Sequence, residues 1–254
     1  MKYEIKKFKD TQVTAKIIEN GNLHIKIRGN SYEDLFKIAT IKEAWDAENK
    51  ENKIATSKLT IYCLISQRSD RRFNLKESFD LKIVANFINS MSFDKVLILH
   101  PHSSTTLALI EKSEQINHFQ YVEKSFKYIG NPILVSPDAG AYKETYLISK
   151  ELKADLVPSN KIRIEGVPKI NIQGDVADRD CLIVDDLADG GRTFKFLAEA
   201  LKKQGAKKVF LYVTHGQFNY GFEELKKDIE MVFCTNSYRD INNDFVKQYK
   251  VIDN

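Results

Sequence analysis

The chain has 254 residues, with 39 Lys and Arg against 35 Asp and Glu and a formal net charge of +4. At 43% hydrophobic and 29% charged it has an ordinary globular composition, with enough apolar residues for one large α/β domain or two smaller ones. The basic excess suits a small anionic ligand but is too small and scattered for nucleic acid. Even LKKQGAKK (201–208) reads as a solvated helix face.

The amino terminus, MKYEIKKFKD, lacks an apolar signal core, and no apolar run approaches the length of a membrane span. A cytoplasmic protein with no membrane association is therefore expected. KLTIYCLIS (58–66) reads as a strand. In SFDLKIVANFINSM (78–91), Phe79, Ile83, Phe87 and Met91 recur at helical spacing, with Ser78 as the cap. KVLILH (95–100) is the next strand, followed by the polar turn PHSSTT and a helix from about Leu107. NPILVSPDAG (131–140) is strand then turn, and AYKETYLISKEL is helix. CLIV (181–184) is a strand, FKFLAEALKKQG a helix closed by Gly205, and KVFLYVTHG (208–216) another strand. Cys63, Cys181 and Cys234 lie far apart in apolar runs and read as buried free thiols.

Strand-length apolar runs alternating with helical patterns predict an α/β fold of βα units around mainly parallel sheets. The domain boundary is drawn in the polar stretch between Gln115 and Lys127, giving domains over 1–120 and 121–254. In open parallel sheets, ligands sit beyond the carboxyl ends of the strands. Four successive predicted strand ends carry polar chemistry: His100 and His102; Asp138; Asp185, Asp186 and Asp189; and Thr214 and His215.

CLIVDDLADGGRTF (181–194) concentrates that chemistry. Carboxylates at the end of a buried strand are costly unless a hydrated Mg²⁺, sugar hydroxyls or helix amides pair with them. Asp189, Gly190 and Gly191 give a turn whose amides can converge on an anion where a helix begins, at Thr193 or just after. A ribose phosphate fits both halves. A capped, glycine-containing βα turn with solvated acids fits the same residues.

VDDLADGGRT resembles the ribose-phosphate loop of type I phosphoribosyltransferases and, more closely, of the ribose-phosphate pyrophosphokinase (PRPP synthetase) family. GDVADRDCLIVDD, AEALKKQGAKKVFLYVTHGQF, VSPDAG, QRSDRRFN and ILHPHSS resemble further segments of that family in order, from about Lys58 to Phe218, and NGNLHIKI near Asn20 fits more weakly. The resemblance implies two tandem phosphoribosyltransferase-like domains, ATP on the first side and a ribose phosphate on the second. The reaction it implies moves the diphosphoryl group of MgATP onto an anomeric hydroxyl and releases AMP.

Carried over residue by residue, the resemblance assigns ATP contacts to Arg68, Asp70, Arg71 and His102. It assigns the ribose phosphate to Asp185, Asp186, Asp189, Gly190, Gly191, Arg192 and Thr193. Mg²⁺ falls to His102, Asp138 and Asp185, and catalysis to Lys161 and Arg163 in PSNKIRIEG, which reads as an exposed hairpin flap. It also implies a homo-oligomer, a dimer or higher. Three departures stand out. Where the family reads Thr-Gly-Gly-Thr, this chain has Gly190, Gly191, Arg192 and Thr193, which opens a 5-substituted acceptor such as ADP-ribose. His100 stands where an acidic residue is usual, and the family's terminal helix is not found before the chain ends. A phosphoribosyltransferase that consumes PRPP and a catalytically silent regulatory subunit are the alternatives.

Overall fold

The computed structural model describes residues 1–50, 55–72, 74–164 and 167–253, with the side chains of 161–169 outside the described set. The chain divides into two units, Met1–Asn117 and His118–Asp253. Phe73 of QRSDRRFN and Glu165 and Gly166 of the predicted flap lie outside the described residues.

The first unit opens with an antiparallel ribbon of β1 (Lys2–Lys7) and β2 (Val13–Glu19). Its main sheet has the order β3 (Leu23–Ile27), β4 (Ser57–Ile61), β5 (Lys95–Leu99), β6 (Ser113–Ile116), and every pairing is parallel. Helix α1 (Tyr32–Glu48) starts at Ser31, whose Oγ accepts the Asp34 amide at 3.1 Å, and acidic Glu33 and Asp34 complement the helix dipole. Leu35, Ile38, Ile41 and Trp45 of α1 share a core with Leu81, Val84, Ala85 and Ile88 of α2 (Asp80–Ser90) and with Leu59, Ile61, Val96 and Ile98 of the sheet.

Three local expectations are corrected here. Strand β4 stops at Ile61 rather than running to Ser66. Beyond it, Tyr62, Cys63 and Ile65 donate to the carbonyls of Ile27, Arg28 and Gly29, an irregular continuation that ends where Ser66 takes a positive φ of 62°. Ser78 does not cap α2. The helix begins at Asp80 after Phe79, and the Ser78 hydroxyl is engaged by the Asp80 carboxylate. Helix α3 (Ser104–Leu109) starts three residues before Leu107, because the extended Ser103 turns the chain into the helix at once.

The second unit holds α4 (Phe119–Ile129), β7 (Ile133–Ser136), α5 (Ala139–Leu152), β8 (Leu156–Ile164), β9 (Val167–Ile172), β10 (Asp180–Ala188), α6 (Arg192–Lys203), β11 (Lys208–Gly216), β12 (Met231–Thr235) and β13 (Val246–Tyr249). The sheet order is β13-β12-β11-β10-β7-β8-β9, parallel except for the antiparallel β8–β9 hairpin. The central strands explain their own sequences. Along β10, Cys181 and Ile183 pack with Leu197 and Leu201 of α6, while Leu182 and Val184 pack on the opposite face with Val122 and Phe126 of α4. In β11, Val209, Leu211 and Val213 likewise face one cluster, and Phe210 and Tyr212 the other. A strand buried on both faces needs an unbroken apolar run, which CLIV and KVFLYV supply. Helix α6 ends as expected: Gly205, at φ 94°, donates to Lys202 O and Ala206 to Leu201 O, both at 3.0 Å.

The three cysteines are buried and free, and burial pushes the Cys181 thiol up to about 11 and that of Cys234 up to about 12. Such thiols are protonated and inert at neutral pH. No helix among the described residues is long and apolar enough to cross a membrane.

Candidate functional site

In the second unit β11, β10 and β7 are adjacent and parallel, so their carboxyl-terminal loops share one edge of the sheet. Asp138 follows β7, Asp189–Gly191 follow β10, and residues 217–225 follow β11. Asp185 and Asp186 differ from expectation in one respect. They lie within β10 rather than past its end, because the strand stays paired with β11 as far as Ala188 opposite Gly216. Both are half-buried. The Asp186 amide donates to Asp185 Oδ1 at 2.9 Å. Burial, and next the neighbouring Asp186 carboxylate with a further contribution from Asp138, hold the Asp185 carboxyl well above the ordinary carboxylate range.

Asp138 is the amino-terminal cap of α5: its Oδ1 accepts the amides of Gly140 at 2.8 Å and Ala141 at 3.1 Å. Ser136 Oγ donates to Asp138 O at 2.7 Å, and Ser159 Oγ of β8 donates to Ser136 O at 2.8 Å. The turn bearing Asp138 is thereby fastened to the base of the hairpin that carries Lys161 and Arg163. Those two lie at alternate positions of β8, with Cα partners Ile170 and Pro168. Their side chains lie outside the described residues.

The turn of Asp189, Gly190 and Gly191 is braced by the β11 loop. Gln217 and Phe218 amides donate to Ala188 O, the Asn219 amide donates to Asp189 O at 2.9 Å, and Asn219 Nδ2 donates to Asp189 Oδ1 at 2.7 Å. Each glycine has a structural reason. Gly191, immediately before α6, has a φ of 73°, and a Cβ there would stand 3.1 Å from a Leu225 methyl. A Cβ on Gly190 would stand 2.6 Å from the ring of Tyr220. Arg192 is the first residue of α6, exposed, with its guanidinium 5.8 Å from the centre of the Phe196 ring; Thr193 follows, half-buried.

These glycines give a stability prediction. Gly191→Ala costs about 1–2 kcal/mol through the left-handed backbone, which lowers the melting temperature by a few degrees. Gly190→Ala leaves it close to wild type, since the exposed Tyr220 ring can swing aside. Equal losses in the two variants, measured by calorimetry, would contradict this reading.

Thr214 and His215 are corrected. Both are fully buried inside β11 and serve the core: His215 Nδ1 pairs with Ser237 Oγ at 2.8 Å, and Thr214 O accepts from Thr235 Oγ1 at 2.7 Å and Ser237 Oγ at 3.1 Å. Asn219 and Tyr220 do stand at the site edge, and their local sequence gives no motif that points to it. Their one signal was a polar–aromatic pair in a turn between Gly216 and Gly221.

The first unit brings together the segment after β4 and the turn after β5, again adjacent parallel strands. The His102 amide donates to Gln67 Oε1 at 3.2 Å. His102, Arg68 and Arg71 are exposed, whereas His100 is buried at φ 39°. Asp70 is buried at 4% exposure and takes a two-point bond from Arg71, with Nε–Oδ1 2.7 Å and Nη2–Oδ2 2.9 Å. The arrangement makes Asp70 the holder of Arg71. Arg71 keeps the Asp70 carboxyl down at about 2 from its ordinary 3.8, against the opposing effect of burial. A carboxyl lowered by folding stabilises above its unfolded range and loses that contribution as pH falls toward 2. Asp70→Asn should therefore destabilise the first unit at pH 7 by on the order of 1 kcal/mol, discounted because Arg71 is exposed. The difference from wild type should shrink between pH 4 and pH 2. The single tryptophan, Trp45, buried in this unit, reports its urea unfolding. A difference independent of pH would contradict the pairing.

The donor set of the second unit fits Mg²⁺. Asp138, Asp185 and Asp186 offer hard carboxylate oxygens, and burial beside the Asp186 and Asp138 carboxylates is what raises the Asp185 carboxyl. His102 belongs to the first unit, so the metal set expected from sequence is divided between the two.

Residues 139–253 match the phosphoribosyl synthetase-associated domain family. The ribose-phosphate pyrophosphokinase of Buchnera aphidicola (subsp. Schizaphis graminum) is 36% identical over 66% of this chain and 56% of its own. That of Mycoplasma genitalium is 31% identical over 73% and 60%, and that of Mesorhizobium japonicum 29% identical over 87% and 73%. The chain thus spans less than two thirds of the length of the first two. A crystal structure of phosphoribosylpyrophosphate synthetase from Mycobacterium smegmatis superposes with a TM-score of 0.85 at 16% identity, covering 98% of this chain and 86% of that one. By sequence the chain is similar to these ribose-phosphate pyrophosphokinases over part of their length, and its α/β fold with parallel sheets is the fold of that synthetase.

Proposed function

We propose that the protein is a Mg²⁺-dependent diphosphotransferase from ATP to the anomeric hydroxyl of a ribose phosphate. Arg68, Arg71 and His102 of the first unit bind ATP, with Asp70 holding Arg71. Asp185 and Asp186 orient the ribose hydroxyls, and the turn from Asp189 to Thr193 receives the phosphate end. The anomeric oxygen attacks the β-phosphorus, the bond from that phosphorus to the αβ-bridging oxygen breaks, AMP departs, and the hydroxyl proton is released. Lys161 and Arg163 meet the charge that gathers on the bridging oxygen. Mg²⁺, when bound through Asp138 and Asp185, neutralises the diphosphate charge.

The single observation that carries this reading is the carboxylate cluster of Asp138, just past β7, with Asp185 and Asp186 on the adjacent parallel strand β10 that leads to α6. The relatives' name adds support, since ribose-phosphate pyrophosphokinases act on ribose phosphate and ATP. The phosphoribosyl synthetase-associated match favours a silent regulatory subunit as the second reading. Retention of Lys161 and Arg163 argues against it. The acceptor is ribose 5-phosphate or, because Arg192 replaces a small residue, a 5-substituted ribose such as ADP-ribose. We place the protein in the cytoplasm as a homo-oligomer.

The test is AMP release from MgATP against a panel of ribose phosphates and ADP-ribose. Release that depends on one of these acceptors supports the assignment. No release with any of them, together with stimulation of a separate pyrophosphokinase, would establish the regulatory reading instead.

A further inference from the structure

We propose that Tyr220 is a stacking platform for the acceptor, and that it selects a ribose whose 5-substituent carries a planar ring, as in a nucleoside diphosphate ribose, over ribose 5-phosphate. The inference rests on the reading of the second unit as the acceptor side.

Tyr220 combines two properties that rarely coincide: its side chain is 88% exposed, yet its backbone is fixed. The Gly221 amide donates to Phe218 O at 3.0 Å and closes a turn with Tyr220 at its third position. Phe218, at the turn's start, is buried and packs on Phe222 with ring centres 4.9 Å apart. Asn219, beside the tyrosine, is bound through both backbone and side chain to Asp189. The mount is thus bolted to the same turn that the sequence reads as the phosphate end of the acceptor site.

The ring lies against Gly190, filling the space a Cβ would need, and the rest of it faces water. A tyrosine placed for stability alone would bury its faces; this one gains one edge contact and leaves most of its apolar surface open. Two residues past Gly190, Arg192 exposes a guanidinium, whose planar fork suits the paired oxygens of a diphosphate. On this proposal Asp185 and Asp186 of β10 take the ribose hydroxyls, Arg192 at the start of α6 takes the diphosphate, and Tyr220 in the loop after the adjacent β11 takes the base. Ribose 5-phosphate has nothing to place on the last of these. Gly190 then acts chiefly to let the ring lie close over the turn.

The test is calorimetric titration of the full chain, in Mg²⁺, with ADP-ribose and separately with ribose 5-phosphate. Wild type should bind ADP-ribose more tightly. Tyr220→Ala should weaken ADP-ribose by roughly ten-fold or more, the scale of one base–aromatic stack, while ribose 5-phosphate stays within about two-fold. Tyr220→Phe, which keeps the ring, should match wild type for both. Equal losses for the two ligands, an unaffected alanine variant, or a wild type without preference for ADP-ribose would each overturn the proposal. Because binding is read directly, the two readings separate. Tyr220-dependent binding of ADP-ribose without AMP release sinks the diphosphotransferase reading and leaves the platform. AMP release with ADP-ribose, with binding and release both unchanged in Tyr220→Ala, removes the platform and leaves the reaction.

Discussion

Alanine at Lys161 or at Arg163 lowers the turnover of ATP to AMP by on the order of 10²-fold or more, with ATP binding nearly kept. The expectation follows from where charge changes during the transfer. In bound ATP the αβ-bridging oxygen is nearly neutral; as the diphosphoryl group leaves, it takes on the charge of the AMP phosphate. A cation that meets it only then stabilises the transition state more than the ground state. Strand β8 places the two cations at alternate positions, and the Ser159–Ser136–Asp138 chain of hydrogen bonds roots the hairpin in the turn bearing the proposed metal ligand. A flap carrying these two cations that closed over a bound substrate would also keep water from acting as acceptor. Steady-state kinetics with a separate ATP-binding measurement checks this. Weakened ATP affinity with turnover intact would assign both residues to ground-state binding.

The second large effect concerns the carboxylates. Asp138→Asn and Asp185→Asn should each lower Mg²⁺-supported activity by on the order of 10²–10³-fold, with folding preserved. The structure separates the two by their effect on stability. Asparagine caps a helix about as well as aspartate, so Asp138→Asn keeps the acceptor for the Gly140 and Ala141 amides, and the melting temperature stays close to wild type. Asp185 has a folded pKa above its unfolded one. Between the two values the folded state binds more protons, and stability falls as pH rises through that window. At neutral pH without metal, burying this carboxyl is therefore a cost, and Asp185→Asn should raise the melting temperature. A collapsed Asp138→Asn variant would show that turn to be structural. A metal-free Asp185→Asn variant less stable than wild type would contradict the acidic cluster as described.

The sequence made the central strands legible because β5, β7, β10 and β11 are buried and need apolar runs. Helix α1 was not drawn, because its buried stripe of Leu35, Ile38, Ile41 and Trp45 is blurred by exposed Phe36 and buried Lys42. Thr214 and His215 read as site residues because polar side chains at a strand's end look the same whether they face a ligand or a neighbouring strand. Only the folded chain shows the His215 ring meeting Ser237, just past β12, and the Thr214 hydroxyl meeting Tyr212 inside the core. The place of Tyr220 over Gly190 depends on a turn folding back across four hydrogen bonds, which local periodicity does not encode. Gly190 also leaves room for that ring, a second use of the position that the sequence does not show.

The most direct measurement follows the nucleotide by phosphorus NMR, with ATP, Mg²⁺ and either ribose 5-phosphate or ADP-ribose. The account predicts AMP and an acceptor carrying a new diphosphate at the anomeric position, formed in equal amounts. ADP with a singly phosphorylated acceptor would mean transfer of the γ-phosphoryl group alone and would contradict it.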